Sequence, residues 1–152
     1  FFEKHTYETG FLKIQHHLKD KNNIVVLLSG SPQEFLEIFY KSLCEKLDHN
    51  KIEWRNHFFA KGTILGTTSN EIRPCIGSEK NKFLKSMLEE NGFVNYTINF
   101  IYSDNNFMSD LPLLIEAKNG GILINKKSYL YKFLPKTITK KLTFLPEWKK
   151  AT

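Results

Sequence analysis

The chain has 152 residues, 41% of them hydrophobic and 25% charged, with a formal net charge of +6. That is the size and composition of one ordinary globular domain, and no apolar run approaches the roughly 20 residues that a membrane-crossing helix needs. The two cysteines, Cys44 and Cys75, have no ligand pattern near them, which argues against a disulfide framework or a zinc site and for a reducing, cytoplasmic setting.

Taken in chain order, apolar periodicity alternates between helical and strand-like. Phe11, Ile14 and Leu18 predict a first helix over about residues 9–20. The run Ile24-Val25-Val26-Leu27-Leu28 has no polar alternation, as in a parallel strand buried on both faces. It stops at Ser29-Gly30-Ser31. Ser31 as N-cap, Pro32 at the first helical position and Glu34 as the partner in a capping box predict a helix to about Leu47. Phe35, Ile38, Phe39, Leu43 and Leu47 form its expected buried stripe.

Between Asp48 and Pro74 short strands are expected at Phe58-Phe59, Ile64-Leu65 and Ile72, broken by Gly62 and Gly66. Ser78 or Glu79 opens a helix with Phe83, Leu84, Met87 and Leu88 inward, and Gly92 stops it. Ile98–Tyr102 reads as a strand ending at Ser103-Asp104, then a short helix over about Asp110–Ala117, a strand at Gly121–Asn125 and a last turn or helix at Tyr129–Phe133. The lysines Lys136, Lys140, Lys141, Lys149 and Lys150 alternate with Phe133, Leu134, Leu142, Phe144, Leu145 and Trp148, read as a packed tail with outward lysines. Strand–helix alternation of this kind predicts an α/β fold with a mainly parallel sheet.

In such a sheet a ligand sits beyond the carboxyl ends of the strands. Three segments place suggestive residues there. Ser29-Gly30 precedes a helix N-terminus, where a hydroxyl and free backbone N–H groups favour an anion such as phosphate; the same residues are also common in ordinary turns. Lys80, in Cys75-Ile76-Gly77-Ser78-Glu79-Lys80, falls in the first turn of a helix, against the macrodipole. It is either a phosphate-neutralising ammonium or one solvated lysine among 22 basic residues. Asp104 and Asp110 flank a polar loop suited to Mg²⁺, unless Asp110 only caps the next helix. His5, His16, His17, His49 and His57 show no metal-ligand spacing.

In order, these segments resemble the second, third and fourth motifs of the haloacid dehalogenase (HAD) superfamily, closest to its phosphoserine-phosphatase-like subfamily (subfamily IB). Leu27–Pro32 is similar to the second motif. Cys75 to Lys80 is similar to the Cys-x-Gly-x-x-Lys segment before the third, and Tyr102-Ser103-Asp104 with Ser109-Asp110-Leu111-Pro112 brackets a loop like the fourth. Tyr7-Glu8-Thr9-Gly10 matches the lead-in before the second motif, so the likeness spans about residues 7–130. The resemblance implies a three-layer Rossmann-like core and a Mg-dependent phosphatase. Ser29, Lys80, Asp104 and Asp110 would be its catalytic residues, Ser29, Gly30 and Lys80 its phosphate ligands, and Asp104 its metal ligand.

Two departures bear on that expectation. The loop from Asp104 to Asp110 is about two residues longer than the family's. The family's first motif, Asp-x-Asp-Gly-Thr, which supplies the nucleophile and the general acid/base, is absent, and no Asp-x-Asp occurs anywhere in the sequence. In the family that strand lies mid-sheet, and the cap follows it. The chain also opens Phe1-Phe2-Glu3 without an initiator methionine. The expectation is therefore that residues 1–152 form the C-terminal part of a HAD-like core, inactive alone, whose N-terminal segment is a partner. The substrate is left among phosphoserine, other small phosphomonoesters and lipid phosphates, since the family's cap selects it. The alternatives are an inactive phospholigand- or partner-binding module and a basic nucleic-acid or membrane-surface protein; nucleic acid is not the expected partner.

Overall fold

A computed structural model describes residues 8–66, 72–103, 107–119, 121–124 and 135–145. They fall into two compact units that part between Cys75 and Ile76.

The first unit runs α1 (Glu8–Leu18), β1 (Val25–Pro32), α2 (Gln33–His49) and β2 (Phe58–Thr63). β1 and β2 are parallel, with Val25 opposite Phe58 and Leu28 opposite Lys61. A helix must cross between parallel neighbours, and α2 makes that crossing. Its buried residues are Leu36, Leu43, Cys44 and Leu47. The last two join Phe11, Leu18, Leu43 and Phe58 in one cluster. Full burial of each such aliphatic side chain contributes about 1.5–3 kcal/mol. Tyr40 completes the face: its O–H donates to the Phe58 carbonyl at 2.6 Å, and its ring lies 4.9 Å from that of Phe58.

That face keeps Leu43, Leu47 and, at its margin, Phe39 of the expected stripe, but not its other two residues. Phe35 is 61% and Ile38 54% exposed. The inward row is Leu36, Tyr40, Leu43, Cys44 and Leu47, which is the helical i, i+4, i+7, i+8 pattern once Tyr40 is counted as a packing residue.

The expected capping box is absent as well. Pro32 is the N-cap and no side chain caps the helix; the Ser31 N–H, which Glu34 would take in a capping box, goes to the Ser29 hydroxyl at 3.1 Å. β1 runs on through Ser29-Gly30-Ser31. The register shifts between Leu28 and Pro32: from Leu28↔Lys61 to Pro32↔Thr63, β1 advances 32 − 28 = 4 residues against 63 − 61 = 2 on β2. The strand therefore bulges at its carboxyl end. Of the other short strands expected here, Ile64 makes an isolated antiparallel bridge with Arg73.

The second unit holds α3 (Glu79–Glu90), β3 (Ile101–Ser103), α4 (Phe107–Leu114), β4 (Gly121–Ile124), α5 (Lys136–Thr139) and β5 (Leu142–Leu145). Its sheet has the order β3-β4-β5, and both pairings are parallel. Leu84, Met87 and Leu88 are the buried residues of α3. Gly92 follows the Asn91 cap at φ +85°, the left-handed conformation in which glycine commonly ends helices. Leu113 and Leu114 are buried, and Gly121 opens β4 where a Cβ would lie 2.7 Å from Leu114.

Three expectations change in this unit. β3 has only three residues rather than starting at Ile98. α4 begins at Phe107, so Pro112 lies inside it rather than in its first turn. β5 is a true strand where a packed tail was expected. The turn expected at Tyr129–Phe133 lies outside the described residues.

The described chain is thus a mixed α/β protein with parallel strands. Among the described residues no helix is long and apolar enough to cross a membrane.

Candidate active site

Lys80 is the second residue of α3. The chain reaches it through a tight turn in which Glu79 N–H bonds the Ile76 carbonyl at 3.1 Å and Lys80 N–H the Gly77 carbonyl at 3.2 Å. Gly77 has φ +54°, so a side chain there would be strained. This turn sets a cation at the positive end of a helix, which is unfavourable unless an anion compensates.

Asp110 is that anion. Lys80 Nζ donates to Asp110 Oδ1 at 2.6 Å, and the two side chains are each only 12% exposed. Asp110 lies in the first turn of α4, where a carboxylate is favoured. Its second oxygen is also held: the hydroxyl of Ser103, last residue of β3, donates to Oδ2 at 2.7 Å. A buried pair of this kind survives only with excellent geometry and satisfied lone pairs, and here both oxygens have partners. Of the three N–H bonds of the ammonium, one goes to Asp110.

Of the residues singled out in the sequence, the structure brings Lys80 and Asp110 together. Asp110 sits four residues into α4, so it is not that helix's N-cap. Asp104 lies outside the described residues. Ser29 and Gly30 belong to the first unit, at the bulged end of β1.

Two residues not foreseen hold that bulge. Thr63, 7% exposed, donates its hydroxyl to the Gly30 carbonyl at 2.8 Å and accepts the Cys75 N–H at 3.0 Å. Gln33 Oε1 accepts the Gly62 N–H at 2.6 Å. Bulges of this sort often re-aim side chains beside active sites. Ser29 is half-buried and Gly30 exposed.

Ser103 was likewise given no role from sequence; its place at the end of an apolar strand before Asp104 was the available signal.

Magnesium, which the resemblance implies, is tested by the donors present. Asp110 has both oxygens engaged, one by an ammonium, and an ammonium-paired carboxylate is a poor cation ligand. Among the described residues no three His, Cys, Asp or Glu side chains group so as to hold a metal ion. The described residues do not make the set, and no step is derived through a metal.

No family model, curated protein or solved structure matches this chain.

Proposed function

We propose that the chain is the C-terminal part of a phosphomonoester hydrolase of the haloacid dehalogenase type, with a three-layer Rossmann-like core. The observation that carries this reading is the Lys80–Asp110–Ser103 cluster, a nearly buried ammonium fixed at 2.6 Å beside the carboxyl end of a parallel strand. Ligands in such sheets bind at that rim. A lysine whose position is fixed before substrate arrives offsets phosphoryl charge without reorganising during the reaction.

In the proposed reaction an aspartate outside residues 1–152 attacks phosphorus. The P–O bond to the leaving alcohol breaks, and an aspartyl-phosphate forms. Water then cleaves it to inorganic phosphate and restores the carboxylate. Lys80 holds phosphate oxygens, and Asp110 is a positioning residue that orients Lys80; the resemblance adds Ser29 and the Gly30 N–H as phosphate ligands. The resemblance implies Asp104 as the residue that would hold magnesium, whose charge would offset that of the phosphate oxygens. The open edges of β1 and of β3, each paired on one side only among the described residues, support a neighbouring strand supplied from elsewhere, since natural sheets cover apolar edges. The substrate is a small phosphomonoester, lipid phosphate included.

The test is phosphate release by the full-length protein on a panel of phosphomonoesters. Lys80→Ala and Asp104→Asn are each expected to lower kcat by about 100-fold or more. Undiminished turnover in both variants would end the assignment.

The absence of any Asp-x-Asp from the sequence favours a second reading, a phospholigand-binding module without turnover. Saturable binding of a phosphomonoester by the full-length protein, with no phosphate released, would favour it over the enzyme.

A further inference from the structure

The second unit carries a second polar feature, at the other rim of its sheet. Because β3, β4 and β5 are parallel, Ser103 closes the carboxyl rim, whereas Asn119 and Lys141 lie just before β4 and β5 at the amino rim. There a cleft of about 420 Å³ opens, with Ile115 and Ala117 as apolar wall and Lys118, Lys140 and Lys141 around it. A volume of that size falls within the range of small-ligand clefts, about 300–1,000 Å³.

The backbone beneath these lysines is pinned. Lys118 N–H bonds the Ile98 carbonyl at 2.8 Å, Asn119 N–H the Asn99 carbonyl at 3.1 Å, and Gly121 N–H the Lys141 carbonyl at 2.9 Å. Lys140 N–H and Lys141 N–H close the end of α5 on Lys136 and Ile138, at 3.0 and 2.9 Å. The three cations are therefore held near one another by the chain itself.

They are also uncompensated. Among the described residues the ion pairs use Lys21, Arg55, Lys80, Lys82 and Lys85, and none of these three. The cleft's one carboxylate, Glu116, accepts Asn81 Nδ2 at 2.8 Å. Three ammonium groups less one carboxylate leave 3 − 1 = +2 around the cleft. Among the described residues the lining is ammonium, amide and aliphatic groups with one carboxylate, which suits binding of an anion.

We propose that this cleft binds a small molecule carrying two or more phosphate charges, at a site separate from Lys80. Lys118, Lys140 and Lys141 neutralise the phosphates, the Asn119 side chain donates to an oxygen, and Ile115 with Ala117 receives the apolar part. The proposal is independent of the phosphatase reading.

Inorganic pyrophosphate is the probe, titrated calorimetrically into the full chain at low salt, with sodium sulfate at matched ionic strength as control. Saturable one-to-one binding is expected, weakened about tenfold or more by Lys140→Glu with Lys141→Glu, as charge-assisted contacts become repulsive. Lys118→Gln weakens it less, and Lys82→Ala, at an exposed lysine outside the cleft, leaves it unchanged. All three groove lysines are exposed, so a circular dichroism spectrum matching the parent's is expected of each variant. A neutral Lys140→Gln, Lys141→Gln pair must weaken binding in the same direction. No saturable binding, equal response to sulfate, or loss with Lys80→Ala and not with the charge reversal would each overturn the proposal. So would preference for a single-stranded oligonucleotide or phosphatidylglycerol vesicles at equal phosphate concentration, which would make the cleft part of a macromolecular surface.

Discussion

The two units bury different things. The one ending at Cys75 closes around apolar side chains, with Leu47 and Phe58 at 0% and 1% exposure, and its polar contacts, such as Tyr40 on the Phe58 carbonyl, tie that core at its margin. The one beginning at Ile76 also buries leucines, but it places a lysine and an aspartate at 12% exposure and satisfies them with a serine. Apolar burial is non-directional and stabilises whatever holds the same volume. A nearly dry ion pair has one workable geometry and is weak support for stability. The apolar core of the first unit is therefore the chief source of its stability, whereas the charged cluster of the second fixes a geometry at little gain in stability.

The largest effect tests the scaffold. Phe58→Ala is expected to lower unfolding free energy by about 3–5 kcal/mol, transfer and cavity terms together, read from the shift of a urea denaturation midpoint. Next comes the cluster. Lys80→Ala leaves the Asp110 carboxylate with no cation, at a cost of about 3 kcal/mol, the lower end for broken buried pairs because some water reaches both groups. Lys80→Met combined with Asp110→Leu removes both charges and should recover most of that loss, while any phosphatase activity stays absent. A double variant as unstable as the single one would erase the distinction drawn between the units, since the pair would then be as structural as Phe58.

A smaller pair of tests compares close approaches in each unit. A Cβ on Gly62 would meet the Ser31 carbonyl oxygen at 2.7 Å, and one on Gly121 the Leu114 carbonyl oxygen at 2.8 Å. Both obstacles are backbone and cannot rotate away, so Gly62→Ala and Gly121→Ala should each cost about 1–3 kcal/mol in thermal denaturation. Gly62→Ala should also loosen the bulge at Ser29–Ser31, because the Gly62 N–H holds Gln33.

Much of this architecture was legible in the chain. The runs at Ile24–Leu28 and Gly121–Asn125 announced strands, and Ser78 or Glu79 with Gly92 the two ends of a helix. What was missed depended on partners distant in sequence. The phase of α2 differs because Tyr40, absent from the expected stripe, packs its ring on Phe58 and gives its hydroxyl to the Phe58 carbonyl. The cap at Ser31 is displaced because β1 runs on through Ser31 and the helix starts only after Pro32. The segment Leu142–Leu145 is too short to show a period, and only β4 beside it makes it a strand. In the candidate site, Lys80 and Asp110 stood out by order and spacing. Thr63 and Gln33 did not, because a hydroxyl or amide leaves no mark in sequence until its partner is known, and Ser103 was marked only by its place before Asp104.

The smallest effect expected is a pH dependence that belongs to the scaffold. Burial, then the charges of His16 and Lys13, holds His17 below the ordinary histidine value of 6.5, and the two rings stand edge to face at 5.3 Å. A depressed histidine binds fewer protons folded than unfolded, so stability rises with pH through that interval. It falls as pH drops through about 6.5 and levels off once pH is below the folded-state value. Asp48, held down by the Trp54 indole N–H and the Arg55 guanidinium, acts in the same direction but only near and below its ordinary value of 3.8. The two contributions are thus separated in pH. Denaturation midpoints measured from pH 8 to pH 5 should decline for the parent chain and decline less for His17→Gln. An unchanged slope in that variant would remove His17 as the source.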